Sequence, residues 1–389
     1  MKKTLLAVAL LGAFAGSAMA ADVTLYGRVD LSMRYTNVDP DVGSDSDFHS
    51  FEMADGNYTG SRFGLKGEED LGNGMKVAFV LENGFDGDTG ALGDSDKIFD
   101  RQATLHLKGA FGEVAFGRVG ILNSTAGNFS MGDFTSMTTG WGDVGNQGLL
   151  WGAGFESRYD NMITYKSPSF AGVTVTAQYS FGSQVKDKDG HVTGEEGKSS
   201  TDRYYGIGAH LTTGAVDAML IVDSINKDSF NTFEGKGADV DDTMRVTLGG
   251  SYDFGFVKPY LAAAYFKDGA VEDIQGAYSN GKLYGDRLSG AWDGYAVAAG
   301  ADVPLAGGTF HGTLGYMTAE NQAASGTAGD GDEVDRWMIG AGYEYPLSKR
   351  TLVYVDAGYF KDSYDSKDAA TADIDPSFCQ FAVGMAHYF

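Results

Sequence analysis

Residues 22–36 read DVTLYGRVDLSMRYT, and the side chains of this stretch alternate in chemistry. One parity is mainly apolar and contains Val23, Leu25, Val29, Leu31, Met33 and Tyr35. The other parity is polar or charged and contains Tyr26, Arg28, Asp30, Ser32 and Arg34. Because successive side chains of a strand point to opposite faces, the stretch predicts a β-strand with one apolar face. Strands of a soluble β-sandwich alternate with the same period, so the length of chain over which the pattern continues must distinguish a sandwich from a membrane-spanning sheet.

The alternating pattern continues to the end of the chain, in about 16 segments of roughly 10 residues, the length that a tilted strand needs to cross a bilayer. Short turns alternate with long loops between these segments, as in outer-membrane barrels. Only helices and closed barrels span lipid, because every backbone polar group must be paired there. Since the chain after residue 20 has no long apolar run, the sequence predicts an all-β fold, a transmembrane antiparallel β-barrel of about 16 strands.

The first residues have the features of a secretory signal. Lys2 and Lys3 precede the apolar run 5–14, and Ala18-Met19-Ala20 provides small residues at a cleavage site. This order of basic, apolar and small residues is typical of a signal peptide. The apolar run is too short for a membrane anchor. We therefore expect a signal peptide over 1–20 and one barrel domain over 21–389.

One connection differs from all the others in length and composition. Residues 119–150 read VGILNSTAGNFSMGDFTSMTTGWGDVGNQGLL, with many Gly, Ser and Thr and no sustained alternation. Ordered loops of this length are uncommon and are usually functional. We expect this loop to fold into the barrel and to narrow the space that the strands enclose.

The composition excludes several classes of function. The formal net charge is −24, with acidic residues concentrated in the loops, so no basic surface is available for nucleic acid. Acidic loops of this kind are either solvated or hold divalent cations. Cys379 is the single cysteine, and the six histidines are scattered. No catalytic motif, metal-ligand spacing or cofactor motif is present, so we expect neither an enzyme nor a bound cofactor or metal.

Basic residues occupy the polar parity of several predicted strands: Arg28, Arg34, Arg62, Lys66, Arg158 and Lys166. A lipid-facing Arg or Lys near the bilayer midplane costs about 2–4 kcal/mol, so these side chains should face the interior. An interior with several unpaired charges must contain water, and a wet closed barrel across a membrane is a pore. Arg101 shares its parity with the apolar Ala103 and Leu105, which predicts an outward side chain. A local bulge, or a subunit contact in place of lipid, would be needed to keep Arg101 among the lumen residues.

Two further signals concern the membrane and the closure of the barrel. Aromatic residues stand at many strand ends and are candidates for interfacial girdles: Tyr35, Phe63, Phe79, Tyr159, Tyr179, Phe181, Tyr252, Tyr265, Tyr316, Tyr345 and Tyr359. The last segment alternates through Met385 and His387 to Phe389, which resembles the C-terminal strand that the barrel-assembly machinery recognises. An ordinary edge strand is the alternative. In either case we expect this strand to pair with the first strand and close the barrel.

Several blocks together resemble the trimeric general porins of Gram-negative outer membranes. They are LYGRVD (25–30), SRFGLKGEEDLGNG (61–74), DRQATLHLKGAFGEVAFGR (100–118), SRYDNMITYKSPSFAGVTVTAQYS (157–180) and VGMAHYF (383–389). The resemblance implies a 16-stranded barrel in a homotrimer, with the third loop folded into the lumen. It also implies basic wall residues that face acids on that loop. By motif, the basic wall comprises Arg28, Arg62, Arg101, Arg158 and Lys166, and the loop acids are Asp133 and Asp143.

The predicted function is an outer-membrane porin, a water-filled channel for passive diffusion of small hydrophilic solutes and ions through a charged constriction. The expected partners are two further copies of the chain, outer-membrane lipid and lipopolysaccharide, the barrel-assembly machinery and small polar solutes. We expect weak ion selectivity, with its sign set by the constriction at high salt. The alternatives are a substrate-specific outer-membrane channel and, from a different class, a barrel-type adhesin or hydrolase.

Overall fold

A computed structural model describes most of the chain after residue 22. The described residues are 23–41, 48–132, 157–182, 185–186, 192–193, 196, 201–227, 241–271, 288, 290–323, 329–369 and 371–389. The predicted signal peptide and the predicted loop acids Asp133 and Asp143 lie outside these ranges, so both assignments stay predictions. No helix of the described part is long and apolar enough to cross a membrane.

Strands make up nearly all of the described regular structure. In chain order they are β1 (Thr24–Asp39), β2 (Phe48–Asp55), β3 (Arg62–Gly72), β4 (Met75–Gly84), β5 (Gln102–Gly109), β6 (Gly112–Gly120), β7 (Arg158–Lys166), β8 (Val173–Ser180), β9 (Val185–Lys186), β10 (Val192–Thr193), β11 (Arg203–Thr213), β12 (Val216–Asn226), β13 (Thr243–Tyr252), β14 (Lys258–Gly269), β15 (Trp292–Leu305), β16 (Gly308–Asn321), β17 (Glu333–Pro346), β18 (Thr351–Asp365) and β19 (Ser377–Tyr388).

The strands form a closed antiparallel barrel in which sequence neighbours pair. The sheet contains 17 strands, and β9 and β10 form a separate short hairpin. Because β2 and β3 pair with consecutive stretches of β1, they act as one interrupted strand, which gives a 16-stranded wall. The predicted fold class is confirmed, and each of the predicted segments contains a strand.

The first and last strands close the barrel, as expected. They pair continuously from Arg28 opposite Tyr388 to Asp39 opposite Ser377. Beyond that register the Phe389 amide donates to the Gly27 carbonyl at 3.0 Å, and the Gly27 amide donates back at 3.1 Å. The wall therefore has no open edge at this seam.

The two ends of the barrel differ in the length of their connections. One end has tight turns, such as Asn73-Gly74 between β3 and β4, where both residues have positive φ (53° and 75°). An Asn-Gly pair of this conformation is the preferred two-residue hairpin turn. The other end carries the long loops, including the one that follows β6. We refer to the short-turn end and the long-loop end of the barrel.

Side chains alternate between the outer and inner faces of the wall. On β1, Leu25 and Met33 are exposed on the outside, whereas Asp30 and Ser32 are buried on the inside. The outward row of β19 from Phe381 to Phe389 is likewise exposed. Most of the predicted girdle aromatics lie on the outer face. Tyr159 is an exception, because it is only 4% exposed and packs inside the barrel. The prediction of an interfacial position is therefore wrong for this residue.

The inner face is not uniformly polar. Near the long-loop end, β14 to β19 bring large apolar side chains into one buried cluster, which includes Phe266, Trp292, Met317, Phe360 and Phe378. Loop residues such as Val271, Leu288 and Ile374 belong to the same cluster. One side of the interior is therefore packed with apolar side chains near the long-loop end, and the buried ion pair of Arg336 and Asp362 lies within this region.

Candidate functional site

Four of the arginines that the sequence points to lie near one another. Arg28 of β1 and Arg62 at the start of β3 are direct partners across their strand pair. Arg101 immediately precedes β5, and Arg158 is the first residue of β7. The charges of Arg28, Arg101 and Arg158 all act on the guanidinium of Arg62. We call these four residues the arginine cluster.

Glu82 of β4 is a carboxylate inside this cluster. Its Oε1 accepts a hydrogen bond from Arg101 Nε at 2.9 Å and lies 3.8 Å from Arg62 Nη1. The Tyr26 hydroxyl donates to Oε2 of the same carboxylate at 3.0 Å. The side chains of Arg62, Glu82 and Arg101 are 13%, 14% and 15% exposed, so they keep some contact with the open interior. Glu82 offsets one of the four positive charges.

Neutral oxygen atoms fix the positions of two arginines. Arg62 Nε donates to the Gly60 carbonyl at 2.9 Å, and Arg62 Nη2 donates to Thr59 Oγ1 at 3.3 Å. Arg28 Nη1 donates to the same Thr59 hydroxyl at 2.9 Å. The Arg28 guanidinium also lies 5.1 Å from the centroid of the Tyr388 ring, within the range of a cation–π contact. These acceptors orient the guanidinium groups without cancelling their charge.

Arg101 reaches the interior because it lies just outside the regular part of β5. Within the strand, Gln102 and Thr104 are buried on the inner face, and Leu105 is exposed on the outer face. Strict alternation would point Arg101 outward. Since β5 begins only at Gln102, the alternation does not extend to Arg101, and its side chain bonds to the inward-facing Glu82.

Arg158 lies where the pairing of β6 and β7 is irregular. Asn161 has a φ of 53°, and the register shifts between Gly117 and Val119. As a result Tyr159 faces the interior and stacks on Tyr204, with ring centroids 5.2 Å apart. The parity that predicted the direction of Arg158 therefore does not apply at this end of β7. The charge of Arg158 still acts on Arg62, and its Nη1 donates to Ser157 Oγ at 3.1 Å.

Sequence reasoning did not single out Arg118 or Glu82. Arg118 Nη1 donates to Asp160 Oδ1 at 2.6 Å, and Lys97 Nζ donates to the other oxygen of Asp160 at 2.8 Å. These bonds tie the loop before β5 to β6 and β7. Glu82 did carry a usable signal, because it shares the inward parity of β4 with Ala78 and stands in the hairpin that contains Arg62.

Lys166 lies away from the arginine cluster. It occupies the short-turn end of the nine-residue strand β7, whereas Arg158 occupies the long-loop end. At about 3.3 Å per residue, the two positions are roughly 26 Å apart along the strand. The Cα partner of Lys166 is Glu113 of β6. The structure therefore separates Lys166 from the residues with which the sequence grouped it.

The long loop turns into the barrel directly after β6. We call its described part, residues 121–132, the loop base. Asn123 Nδ2 donates to Thr247 Oγ1 of β13 at 2.6 Å, and the Phe129 ring stacks on His106 of β5 with centroids 5.8 Å apart. Because β6 and β13 are five strand spacings apart, about 24 Å along the wall, the loop base must cross the interior. The prediction that the long loop folds inward is confirmed over this part.

Apolar packing anchors the loop base. Leu122 and Met131 are buried in one cluster with Met219 and Ile221 of β12. The Met131 amide donates to the Leu122 carbonyl at 2.7 Å, which holds the two side chains on the same side of the loop. The loop base is thus seated on the inner wall largely through buried apolar surface.

Comparison with known proteins gives a consistent result over the whole chain. The family model described as Gram-negative porin matches residues 7–365. An outer membrane porin protein of Bordetella pertussis is 35% identical, and the alignment covers 100% of both chains. Outer membrane porin protein 32 of Delftia acidovorans is 31% identical over 95% of this chain and 92% of that protein.

A solved structure shares the same architecture. The anion-selective porin from Comamonas acidovorans superimposes with a TM-score of 0.64 at 24% sequence identity. The superposition covers 95% of this chain and 100% of the other chain. At this level of identity the likeness supports the fold.

Proposed function

We propose how solutes pass through this protein, given that the chain belongs to the Gram-negative porin family. It is therefore an outer-membrane channel and not an enzyme. In our proposal the arginine cluster and the loop base together form the constriction. Hydrated solutes pass the guanidinium groups of Arg28, Arg62, Arg101 and Arg158. The loop base limits the cross-section from the opposite side.

The observation that carries this proposal is the excess of positive charge at one corner of the inner wall. The charges of Arg28, Arg101 and Arg158 act on Arg62 there, and the Glu82 carboxylate lies within 4 Å of the guanidinium groups of Arg62 and Arg101. Such a group of charges is stable only beside water, because burying unpaired charges is strongly unfavourable. Rings of Arg in a pore favour anions. We therefore expect a channel that prefers small anions over cations at high salt.

The predicted loop acids belong to the same proposal. Asp133 and Asp143 follow the loop base in the chain and would supply carboxylates opposite the arginine cluster. Opposed charges across a narrow wet neck orient water and polar solutes and disfavour apolar ones. Lys166 would act separately, at the short-turn end.

A homotrimer in the outer membrane is the assembly that we propose. The outward apolar side chains of β1 to β5 would contact the neighbouring copies, and the remaining outer face would contact lipid and lipopolysaccharide. The barrel-assembly machinery would recognise the outward row that contains Met385, His387 and Phe389, which is exposed before insertion. A detergent-resistant species near three times the monomer mass would support the trimer.

Reversal potentials of the purified protein in planar bilayers under a KCl gradient test the mechanism. We expect Arg62→Gln to shift the chloride-to-potassium permeability ratio toward potassium, and Arg158→Ala to shift it in the same direction. Lys166→Gln serves as the matched comparison, because it removes a charge at the other end of β7. An unchanged ratio in both arginine variants would remove the cluster from the constriction.

A second candidate function is an anion-specific channel. The likeness to a porin that is described as anion-selective favours it, together with the charge of the arginine cluster. Liposome swelling with neutral sugars of graded size separates the two candidates. A general pore admits the small sugars at rates set by size, whereas an anion-specific channel admits them poorly.

A further inference from the structure

The second strand of the wall is interrupted at residues 56–61, which we call the inner segment. On one side of the interruption Asp55 pairs with Leu31, and on the other side Arg62 pairs with Arg28. Only residues 29 and 30 of β1 lie between these pairings, opposite the six residues of the inner segment. The surplus length cannot lie in the wall and projects from it.

The inner segment projects into the barrel and reaches strands on the far side of the seam. The Tyr58 hydroxyl donates to Glu344 Oε2 of β17 at 2.6 Å, and Asn57 Nδ2 donates to Asp356 Oδ2 of β18 at 2.7 Å. Gln380 of β19 donates to Asn57 Oδ1 at 3.1 Å. β3 and β17 are four strand spacings apart, about 19 Å along the wall, so these bonds run through the interior.

Asp30 fixes the conformation of the inner segment. Its Oδ2 accepts hydrogen bonds from the Tyr58 and Thr59 amides, both at 2.7 Å, and its Oδ1 accepts one from the Tyr354 hydroxyl at 2.8 Å. The Tyr58 and Tyr354 rings lie 5.3 Å apart. Gly56 begins the departure from the wall with a φ of 66°, which favours glycine. The segment is thus held at several points.

Two carboxylates with a histidine between them line the inner wall next to Tyr58 of the inner segment. Glu344 Oε1 lies 3.8 Å from His311 Nε2, and His311 Nδ1 lies 2.6 Å from Asp302 Oδ1. The Tyr260 hydroxyl donates to the other oxygen of Asp302 at 2.7 Å. Two carboxylates beside one imidazole keep a net negative charge in either protonation state of His311. The inner wall of β15 to β17 is therefore acidic next to the inner segment, whereas Lys258 of β14, the Cα partner of Asp302, adds a positive charge at the other end of this group.

The inner segment separates these carboxylates from the arginines. Thr59 and Gly60 accept hydrogen bonds from Arg28 and Arg62, while the adjacent Tyr58 bonds to Glu344. The charges of both Arg28 and Glu344 act on Tyr58. Six residues therefore connect a basic and an acidic part of the same lumen.

Resting on the proposed function above, we propose that residues 56–61 form a second constriction element and that Glu344, positioned by Tyr58, moderates the preference for anions. The carboxylate lowers the positive potential that the nearby arginines create for a passing ion. The segment also reduces the cross-section independently of the long loop. Glu344 is a selectivity-determining residue in this account, and Tyr58 is a positioning residue.

Permeability ratios in planar bilayers test the role of the charge. Glu344→Gln keeps the side-chain shape and removes the charge, and we expect it to raise the chloride-to-potassium ratio by about twofold. Tyr58→Phe should change the ratio in the same direction by less. The matched controls are Asp335→Asn and Tyr316→Phe, because these two residues form the same type of hydrogen bond (2.8 Å). The Tyr316 ring packs at a tilt against the exposed Trp337 of the outer face, so the controls should leave the ratio unchanged.

Single-channel conductance tests the steric role. Tyr58→Ala removes a ring that crosses the interior and should increase the conductance, with heat-modifiable migration showing that the barrel has folded. Wild-type values for both Glu344→Gln and Tyr58→Ala overturn the inference. If Arg62→Gln still shifts the ratio in that case, the proposed function stands and only this inference fails. If the wild-type protein gives no conductance steps, the proposed function itself fails.

Discussion

The inner segment and the loop base both leave the wall and enter the interior, but different forces hold them. Asp30, Asp356 and Glu344 hold the inner segment through hydrogen bonds to carboxylates. Leu122 and Met131 hold the loop base through buried apolar contacts. Hydrogen bonds depend strongly on direction and distance, whereas apolar burial is non-directional.

The difference explains what each segment can contribute to a pore. A hydrogen-bonded segment places particular charges at fixed distances, because moving it breaks bonds to buried carboxylates. An apolar seat fills volume and tolerates small shifts of the chain. We therefore expect the inner segment to control selectivity more than size, and the loop base to control size more than selectivity.

The largest expected effect is that of Asp30→Ala. Three hydrogen bonds to a buried carboxylate are lost, each worth about 1.5–3 kcal/mol, so we expect a destabilisation of roughly 4 kcal/mol or more. The midpoint of urea unfolding, followed by heat-modifiable migration, measures it. The permeability ratio should change as well. A variant with an unaltered midpoint would show that the inner segment keeps its position without Asp30.

Leu122→Ala should have the next largest effect. Leu122 is fully buried, and Leu→Ala substitutions at such sites cost about 2–5 kcal/mol. We expect the loop base to detach in part from β12. This should raise the single-channel conductance and change the permeability ratio little. Leu220→Ala, at an exposed outer position of β12, is the control and should conduct as the wild type does. A conductance equal to that of the wild type would contradict the assigned role of the apolar seat.

A smaller effect is expected from Asn123→Ala. The substitution removes the hydrogen bond from Asn123 to Thr247 and should cost about 1 kcal/mol. A double-mutant cycle with Thr247→Val isolates the pair, because the second change should add little once the first has been made. Fully additive effects would mean that this bond does not help to hold the loop base.

The smallest effect is expected in a loop outside the lumen. A change there should not alter the conductance, so it is a reference for changes in the inner segment and the loop base. Hydrogen bonds from Ser363 Oγ (2.6 Å) and Lys361 Nζ (3.0 Å) hold the pKa of Asp375 below its ordinary value. A lowered carboxyl pKa contributes stability above the ordinary pKa, and this stability is lost as the pH falls through the lowered value. We expect the loop before β19 to become more susceptible to proteolysis in strong acid.

Asp375→Asn should reproduce this change at neutral pH, and the conductance should stay constant. If proteolysis of the loop depended on pH equally in the variant and in the wild type, Asp375 would not be the responsible group.

The alternation of residues, continued over about 16 segments, sufficed to predict the barrel, and on β1 it predicted the inward position of Arg28, because lipid on one side and water on the other impose a strict period. Alternation failed where the strands are irregular. Arg101 lies one residue outside β5, and the irregular pairing near Asn161 turns Tyr159 inward, against its parity. Parity carries no information about such local departures from strand geometry.

The inner segment was not predictable for a related reason. The chain before Arg62 reads GNYTGS, which is typical of an ordinary turn. The partners of Tyr58 and Asn57 lie nearly 300 residues away in sequence, at Glu344 and Asp356. Only the closure of the barrel brings these residues together, so no local pattern reveals the contact.

The interruption of the second strand also has an evolutionary consequence. Both halves of that strand are aligned independently against β1, through the pairs from Leu31 to Val38 on one side and from Thr24 to Arg28 on the other. Insertions or deletions between them leave both alignments intact. If residues 56–61 constrict the lumen as proposed, insertions or deletions between the two halves would change its cross-section, while the pairing of both halves with β1 is kept.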